Sequence, residues 1–200
     1  IMKQVWDNFN ELNLVFTCAG FTWDTMFHRM THEQWNSIID VHLNGTFLIL
    51  HKAYPFMREL GKNELDEGKV PEPRKLITVS SMSSFGNLGQ ANYAAAKAGI
   101  IGLTRTLALE GAKFNILANC VAFGAIDTRL TRSREDQDER VLDSQLGIPT
   151  LAREEYIKQI PLGRVGTIQE AVGPLLFLAS DESNYVSGSL IEVNGAAHLS

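Results

Sequence analysis

Short apolar runs alternate along the chain with longer stretches of helical character. Runs of four to seven apolar residues that stop at polar or glycine residues are typical of strands buried in a parallel sheet. The predicted strands lie at residues 12–17, 76–79, 116–122 and 189–193. Because strand and helix alternate throughout, we expect right-handed crossovers and a parallel sheet covered on both faces.

Helical spacing of apolar residues and runs of alanine and leucine predict helices between these strands. The predicted helices lie at residues 2–9, 35–60, 90–110 and 167–178. Thr31/Gln34 and Thr167/Glu170 have the spacing of a capping box, which marks the start of a helix. We expect the long second helix to bend near Gly45.

Two charged segments predict surface structure. Residues 61–75 carry two prolines among charged residues, and this composition predicts a solvated connection. Residues 129–160, named here the lid segment, contain the mixed charge run 132–140 and are too long for a plain connection. We therefore expect a lid or a disordered loop there, within a single domain that spans residues 1–200.

Composition excludes several classes of protein. The 200 residues are 44% hydrophobic and 20% charged, with a formal net charge of −5, which is the profile of a globular domain. The acidic balance gives no basic footprint for a nucleic acid or an anionic membrane, and no apolar run reaches the roughly 20 residues of a membrane-spanning helix. We expect neither partner.

Cysteine usage bears on compartment and metal binding. Cys18 and Cys120 both stand in apolar, strand-like stretches, which predicts buried reduced thiols in an intracellular protein. The cytoplasm is the favoured compartment, with an organelle left open. No CxxC or HExxH pattern occurs, so we expect no metal site.

A tyrosine and a lysine carry the candidate chemistry. Tyr93 and Lys97 are four residues apart in a predicted helix, so their side chains leave the same face. A tyrosine hydroxyl ionises at about pH 10, and a neighbouring ammonium is expected to lower that pKa. Tyr93 could then exchange a proton with an alcohol or carbonyl oxygen, whereas a solvated helix pair is the alternative. The preceding strand ends in Ser80 and Ser81, at the edge where ligands of open α/β sheets bind.

The chain resembles the short-chain dehydrogenase/reductases, most closely their 3-oxoacyl-carrier-protein reductase and peroxisomal 3-hydroxyacyl-CoA dehydrogenase branches. The matching stretches are VSSMSSFGNLGQANYAAAKAGIIGLTRTLALE (79–110), EQWNSIIDVHLNGTF (33–47), PLGRVGTIQEA (161–171) and FLASDESNYVSGSLIEVNG (177–195). The resemblance implies a doubly wound, Rossmann-like parallel sheet and hydride transfer between NAD or NADP and a carbonyl or carbinol carbon. It further implies a small carbonyl or alcohol substrate, with 3-oxoacyl thioesters favoured, and a homotetramer or dimer.

The same resemblance suggests roles for individual residues. Tyr93 matches the catalytic acid/base, and Lys97 matches the lysine that lowers its pKa and holds the nicotinamide ribose. A serine of the pair matches the residue that hydrogen-bonds the substrate oxygen. Alignment of the strand selects Ser81, whereas counting back from Tyr93 selects Ser80; we favour Ser81. Alternatively, both serines only satisfy backbone groups at the strand end.

Further matches concern the cofactor. Thr128 matches the threonine that reaches the nicotinamide carboxamide, and Ile126 matches the residue whose backbone meets the same group. Ala19 and Gly20 match the loop that passes under the adenosine ribose. The resemblance therefore implies that these four residues bind NAD or NADP.

Three stretches of the chain depart from the family pattern. Thr17 and Cys18 replace two asparagines, which removes side chains that brace the sheet. His42 replaces an asparagine of the proton relay, and both a catalytic role and a packed, hydrogen-bonded structural role stay open. Phe123 stands where the family has a proline, directly before Gly124. We therefore expect a reshaped nicotinamide pocket, with Gly124 among its cofactor-binding residues.

The glycine-rich turn that grips the pyrophosphate and the residue that selects between NAD and NADP have no counterpart here. The first strands and helices of the family fold are therefore lacking, and we expect weak binding of NAD(P) by the chain as written. Three interpretations stay open: a fragment of an active enzyme, a chain completed by a partner, or a non-catalytic assembly subunit. The last would dock through residues 31–60 and 90–112.

Overall fold

A computed structural model describes residues 2–136, 138–142 and 144–198. The strands are β1 (Leu14–Thr17), β2 (Arg74–Ser81), β3 (Ile116–Phe123), β4 (Arg140–Val141), β5 (Ser144–Gln145) and β6 (Leu190–Val193). The α-helices are α1 (Met2–Phe9), α2 (His32–Ile39), α3 (Gly45–Asp66), α4 (Ala91–Gly111), α5 (Thr150–Lys158) and α6 (Ile168–Ala179). Short 3₁₀ turns lie at Phe27–Arg29, Met82–Phe85, Ala112–Phe114, Arg134–Asp136 and Asp181–Ser183.

Four parallel strands form the central sheet, in the order β1-β2-β3-β6. In this register Ser81 pairs with Phe123, and Phe123 pairs with Val193. The carboxyl ends of β2, β3 and β6 therefore meet at one edge of the sheet, which is where ligands of open α/β sheets bind. The prediction of a parallel α/β sheet is confirmed.

Helices cover both faces of the sheet because neighbouring residues of a strand point to opposite faces. Leu76 packs with Leu50 and Met57 of α3 on one face. Ile77, the next residue of β2, packs with Leu178 of α6 on the other face. Full burial of such side chains stabilises the fold by about 1.5–3 kcal/mol each. The continuous apolar runs in β2 and β3 follow from this two-sided burial.

The long second helix is interrupted where the sequence predicts a bend. Thr31 and Gln34 form the expected capping box at the start of α2. Asp40–Asn44 then form a π-helical turn, and α3 begins at Gly45. The wider turn brings His42 to the interior, where it is buried.

The charged segment 61–75 is a solvated connection only in its middle. Residues 66–70 are exposed, as predicted, but helix α3 continues to Asp66 and β2 already begins at Arg74. Arg74 is buried and donates two hydrogen bonds to Glu64, at 3.0 and 2.7 Å. Lys75 is also buried and donates to the Ser183 hydroxyl at 2.8 Å. The prediction is wrong for these two residues, because each buried charge has hydrogen-bonding partners.

The lid segment has regular structure in its described residues. It contains a 3₁₀ turn, the antiparallel β4–β5 pair and α5. Ser144 donates from its hydroxyl to the Thr22 carbonyl at 2.9 Å, and Leu146 is buried in a cluster with Phe21 and Ile38. The disordered-loop alternative is therefore wrong for these residues. The lid role stays a prediction.

The two cysteines differ in exposure. Cys120 is buried within β3, as predicted, and Cys18 is exposed just after the last residue of β1. The prediction for Cys18 is wrong because β1 is the outer strand of the described sheet. Across the described part of the chain, every helix falls short of the length and apolar character needed to cross a membrane.

Candidate active site

Tyr93 and Lys97 lie in the first turns of α4, beside the carboxyl edge of the sheet. The Lys97 ammonium nitrogen is 5.5 Å from the centroid of the Tyr93 ring, so the two side chains share one helix face as predicted. Lys97 Nζ also donates to the Val79 carbonyl at 2.8 Å. This hydrogen bond ties the lysine to β2, the strand that ends in the serine pair.

The structure separates the two candidate serines. Ser80 is buried and donates from its hydroxyl to the Lys97 backbone carbonyl at 2.9 Å. Ser81, the next residue, points to the other side of the strand, and its hydroxyl lies close enough to Tyr93 to lower the pKa of the phenol. The structure thus brings Ser81, Tyr93 and Lys97 together and directs the Ser80 side chain into the packing between β2 and α4.

The protonation of Tyr93 differs from the expectation. Burial raises the pKa of Tyr93 to about 12, the Ser81 hydrogen bond lowers it in part, and the charge of Asp24 raises it further. The expected lowering of the Tyr93 pKa by its neighbouring ammonium is therefore wrong in this structure, since the loss of hydration outweighs the favourable contacts.

Lys97 is itself affected by its surroundings. Burial lowers its pKa from the ordinary 10.5 to about 8, against the opposing effect of two nearby thiols, Cys120 and Cys18. Only 5% of the residue is exposed. The ammonium thus carries its charge at neutral pH and loses it in mildly alkaline solution.

His42 packs against the loop that follows β1. Its Nε2 is 2.7 Å from the Phe21 carbonyl oxygen, and its ring meets that of Tyr93 edge to face. Burial lowers the His42 pKa to about 4, so the ring is neutral at neutral pH. A Cβ on Gly20 would lie 2.2 Å from His42 Cε1, which shows why a glycine stands at that position. These contacts favour the structural role of His42 over the catalytic one.

The predicted cofactor residues lie at the same edge of the sheet. Ala19 is exposed after β1, and Gly20 contacts His42 as described. Ile126 pairs with Gly166, and its carbonyl accepts a hydrogen bond from the Thr131 hydroxyl. Among the described residues, nothing engages the Ile126 backbone N–H or the Thr128 hydroxyl. Each of these two groups can donate a hydrogen bond to a carboxamide oxygen.

Gly124 has a packing reason of its own. A Cβ there would lie 2.9 Å from the Cα of Asn194, so glycine allows the ends of β3 and β6 to approach. A cleft of about 140 Å³ opens nearby, lined in part by Ile126, Gly166 and Asn194. In residues 2–136, 138–142 and 144–198, no group of three or more His, Cys, Asp or Glu side chains is arranged to hold a metal ion.

The sequence patterns did not predict the hydrogen-bonded group next to Ser81. Gln90 precedes α4 and donates from its amide to Asp24 at 2.9 Å. Its carbonyl accepts from the Ser83 hydroxyl at 2.9 Å, and the Ser83 backbone N–H donates to Ser81 Oγ at 3.2 Å. The only local signal was a polar residue at a helix start; no spacing relates Asp24 to Gln90, because two different loops carry them.

Comparisons with known proteins agree with this architecture. A family model described as enoyl-(acyl carrier protein) reductase matches residues 1–198. The 3-oxoacyl-[acyl-carrier-protein] reductase of Escherichia coli is 38% identical over 200 residues, which are 100% of this chain and 72% of the relative. The enzyme of the same name from Thermotoga maritima is 36% identical over 196 residues, 98% of this chain and 70% of the relative. The acetoacetyl-CoA reductase of Rhizobium meliloti is 36% identical over 199 residues, 99% of this chain and 73% of the relative. The chain therefore belongs to the short-chain dehydrogenase/reductase family of NAD(P)-dependent oxidoreductases.

Proposed function

We propose that this protein reduces the ketone of a 3-oxoacyl thioester to a secondary alcohol, with NADH or NADPH as the reductant. The observation that carries the proposal is the convergence of Ser81, Tyr93 and Lys97 at the carboxyl edge of the sheet. The names of the relatives, reductases of 3-oxoacyl-carrier-protein and acetoacetyl-CoA, support this substrate class.

In the proposed reaction, Tyr93 donates its phenolic proton to the carbonyl oxygen of the substrate. A pKa of about 12 keeps that proton in place at neutral pH, so Tyr93 is ready to act as an acid. Ser81 hydrogen-bonds the phenol and directs it toward the substrate. A bound nicotinamide supplies the hydride that the carbonyl carbon receives. The product alcohol thus receives its hydroxyl proton from Tyr93 and its new carbon-bound hydrogen from the nicotinamide.

The protonation of Tyr93 suits the reductive reaction. In the oxidation of an alcohol, Tyr93 would have to begin as a phenolate and accept the hydroxyl proton. Burial and the charge of Asp24 both disfavour the phenolate, because both raise the pKa of Tyr93. Tyr93 therefore holds the proton that the reductive step needs near neutral pH.

The residues that would hold the nicotinamide fit that group. Lys97 would bind the ribose hydroxyls, and the loop of Ala19 and Gly20 would lie under the adenosine ribose. The unengaged Ile126 N–H and Thr128 hydroxyl would donate to the carboxamide. Tyr93 already lies within contact distance of Lys97, so the proton donor and the ribose ligand are adjacent.

The test is turnover of acetoacetyl-CoA by the full chain, with NADPH and NADH in separate assays, followed by the loss of reduced-nicotinamide absorbance. Tyr93→Phe is expected to lower kcat at least about 100-fold, because the proton donor is gone. Tyr54→Phe is the matched control, since Tyr54 packs against the core cluster of α3 and α4 and should keep wild-type turnover. A Tyr93→Phe variant as active as the Tyr54→Phe control would refute the proposed role.

A second candidate function is assembly through α3 and α4. Phe47 and Leu48 of α3 are 46% and 56% exposed, and Leu109 of α4 is 81% exposed. Apolar groups of this kind on neighbouring helices favour contact with another copy of the chain, as a dimer or tetramer. Sedimentation of the wild type and of Leu48→Glu tests this. A chain that assembles but reduces no 3-oxoacyl thioester would be the non-catalytic subunit.

A further inference from the structure

Hydrogen bonds connect Asp24 to Ser81 without interruption. The Gln90 amide nitrogen donates to Asp24 Oδ2 at 2.9 Å, and the Ser83 hydroxyl donates to Gln90 Oε1 at 2.9 Å. The Ser83 backbone N–H then donates to Ser81 Oγ at 3.2 Å. Ser81 in turn lies beside Tyr93, whose pKa its hydroxyl lowers. The path thus joins the loop after β1, the turn after β2 and the start of α4.

Gln90 is the junction of this path, and both ends of its amide are in use. Only its nitrogen can donate to the Asp24 carboxylate, and only its oxygen can accept from Ser83 and from Asn87, which donates at 2.8 Å. Gln90 is only 9% exposed, so the loss of these bonds would leave polar groups without partners in a place poor in water. The orientation of the amide is therefore set by its neighbours.

The backbone of Gln90 also contributes to the site. Its carbonyl accepts the first hydrogen bond of α4, from the Ala94 N–H at 2.7 Å. Lys97 follows Ala94 by three residues in the same helix. A second bond, from Thr25 N–H to the Gly89 carbonyl at 2.8 Å, joins the same two loops beside the side-chain path. A third bond, from the Asn92 amide nitrogen to the Trp23 carbonyl at 3.3 Å, also joins the loop of Asp24 to the start of α4.

The path determines which atoms Ser81 has free. The Ser83 N–H occupies one lone pair of Ser81 Oγ, and the hydroxyl proton of Ser81 is available to Tyr93. Without Gln90, the Ser83 turn would lose a side-chain bond that holds this N–H in place. The Ser81 hydroxyl could then rotate away from the phenol.

Asp24 acts on the phenol in two opposing ways. Through Gln90 it supports the Ser81 hydrogen bond, which lowers the Tyr93 pKa; through its own charge it raises that pKa. The other titratable groups against Tyr93 are Lys97, at 5.5 Å from the ring, and the neutral His42, edge to face with it. Arg134 of the lid segment faces Asp24, and its charge favours the ionised carboxylate.

We propose that Asp24 and Gln90 form a positioning pair, in which Asp24 orients the Gln90 amide and Gln90 holds the Ser83 turn that aims the Ser81 hydroxyl at Tyr93. The pair acts through Ser81 and contacts neither substrate nor cofactor in this role. The inference rests on the proposed reductase function for its kinetic consequence, and on the hydrogen bonds alone for its geometric consequence.

The kinetic test compares Gln90→Met with Gln169→Met in the full chain. Gln90→Met removes both amide bonds at similar size and is expected to lower kcat roughly 10- to 100-fold, with KM for acetoacetyl-CoA little changed, because misaimed proton transfer slows the chemistry more than binding. Gln169→Met is the matched control. Gln169 is exposed on α6, outside the hydrogen bonds between Asp24 and Ser81, so the same change there should leave kcat near the wild-type value.

The second readout is independent of turnover. The phenolate content of Tyr93 is measured by ultraviolet absorbance at one alkaline pH at which the protein stays folded, as the difference between each protein and its Tyr93→Phe counterpart. Asp24→Asn removes the charge but keeps an oxygen acceptor for Gln90, so the phenolate fraction should increase. Gln90→Met weakens the Ser81 bond, so the fraction should decrease.

The outcomes separate the two proposals. If the wild type reduces no thioester while the phenolate fractions change as expected, the function is wrong and the positioning pair stands. If the wild type is active but Gln90→Met behaves like Gln169→Met in both readouts, the positioning pair is wrong. If Gln90→Met fails to fold, Asp24→Ala decides the second case by comparison with Asp24→Asn. Both variants lack the charge but only Asn offers Gln90 an acceptor, so equal phenolate fractions in the two would contradict the positioning role of Asp24.

Discussion

The imidazole of His42 and the phenol of Tyr93 meet edge to face, with 4.9 Å between their ring centroids. His42 belongs to the π-helical turn before α3, and Tyr93 belongs to α4. The contact therefore joins the two helices on one side of the sheet at the level of the candidate site. Because His42 also contacts Phe21 and leaves no space for a side chain at Gly20, it connects Tyr93 to the loop after β1.

The buried His42 should make stability depend on pH in a defined window. Its pKa is about 4 in the folded chain against the ordinary 6.5, so between these values the unfolded chain binds a proton that the folded chain excludes. This contribution to stability is present above about pH 6.5 and is lost as the pH falls toward 4, by about 3 kcal/mol. Urea unfolding of the wild type and of His42→Asn at several pH values should show their difference in unfolding free energy shrinking over that window.

Gly20→Ala should destabilise the fold through His42. The new Cβ would lie 2.2 Å from His42 Cε1, and overpacking of this kind costs about 1–3 kcal/mol. In a His42→Ala background the ring is gone, so the same change at Gly20 should cost less. Gly102→Ala is the control, since nothing lies within 4 Å of a Cβ there and the change should stabilise α4 by about 0.5–1 kcal/mol. Equal costs of Gly20→Ala in both backgrounds would show that the ring is not the obstacle.

The two serines should differ in what they affect. Ser81→Ala should lower kcat about 100-fold with little change in unfolding free energy, because it removes a hydrogen bond to the proton donor. Ser80→Ala should lower the unfolding free energy by about 1 kcal/mol and keep most of the activity, since its hydroxyl only bonds the Lys97 carbonyl. Steady-state kinetics and urea unfolding of both variants decide the matter. A larger kinetic loss for Ser80→Ala would reverse the assignment.

Lys97 should set the alkaline limit of activity. Its pKa is lowered to about 8 by burial, so the charge that would hold the ribose is lost as the pH rises through that value, well before Tyr93 ionises. We expect kcat/KM to decline above about pH 8. Lys97→Arg keeps its charge at every accessible pH, so any remaining activity should extend to higher pH. An alkaline limit that stays near 8 in this variant would mean that another group causes it.

Local patterns sufficed to predict the parts of the fold that depend on neighbours in sequence. The capping box of Thr31 and Gln34 forms as its spacing indicates, and Tyr93 and Lys97 share a helix face because four residues are close to one turn. The parallel sheet follows from apolar runs that are buried on both faces. These features can be predicted without knowing which residues contact each other across the fold.

Features that depend on residues far apart in sequence could not be predicted from local patterns. The pKa of Tyr93 is set by its burial and by Ser81 and Asp24, which approach it from other loops. The prediction from Lys97, four residues away, was therefore a lowered pKa, whereas the pKa is raised. Arg74 looked solvated because its partner Glu64 precedes it by ten residues on a different element. The choice between Ser80 and Ser81 likewise depended on which face of β2 turns toward α4.

Because Cys18 is exposed and Cys120 is buried in the sheet, the two thiols of these 200 residues should differ in reactivity toward reagents in solution. A thiol-reactive fluorophore or nitroxide is expected to label Cys18 in preference to Cys120. Cys18 is two residues before Gly20, so the label would report on the loop beside the proposed nicotinamide site as ligands are added.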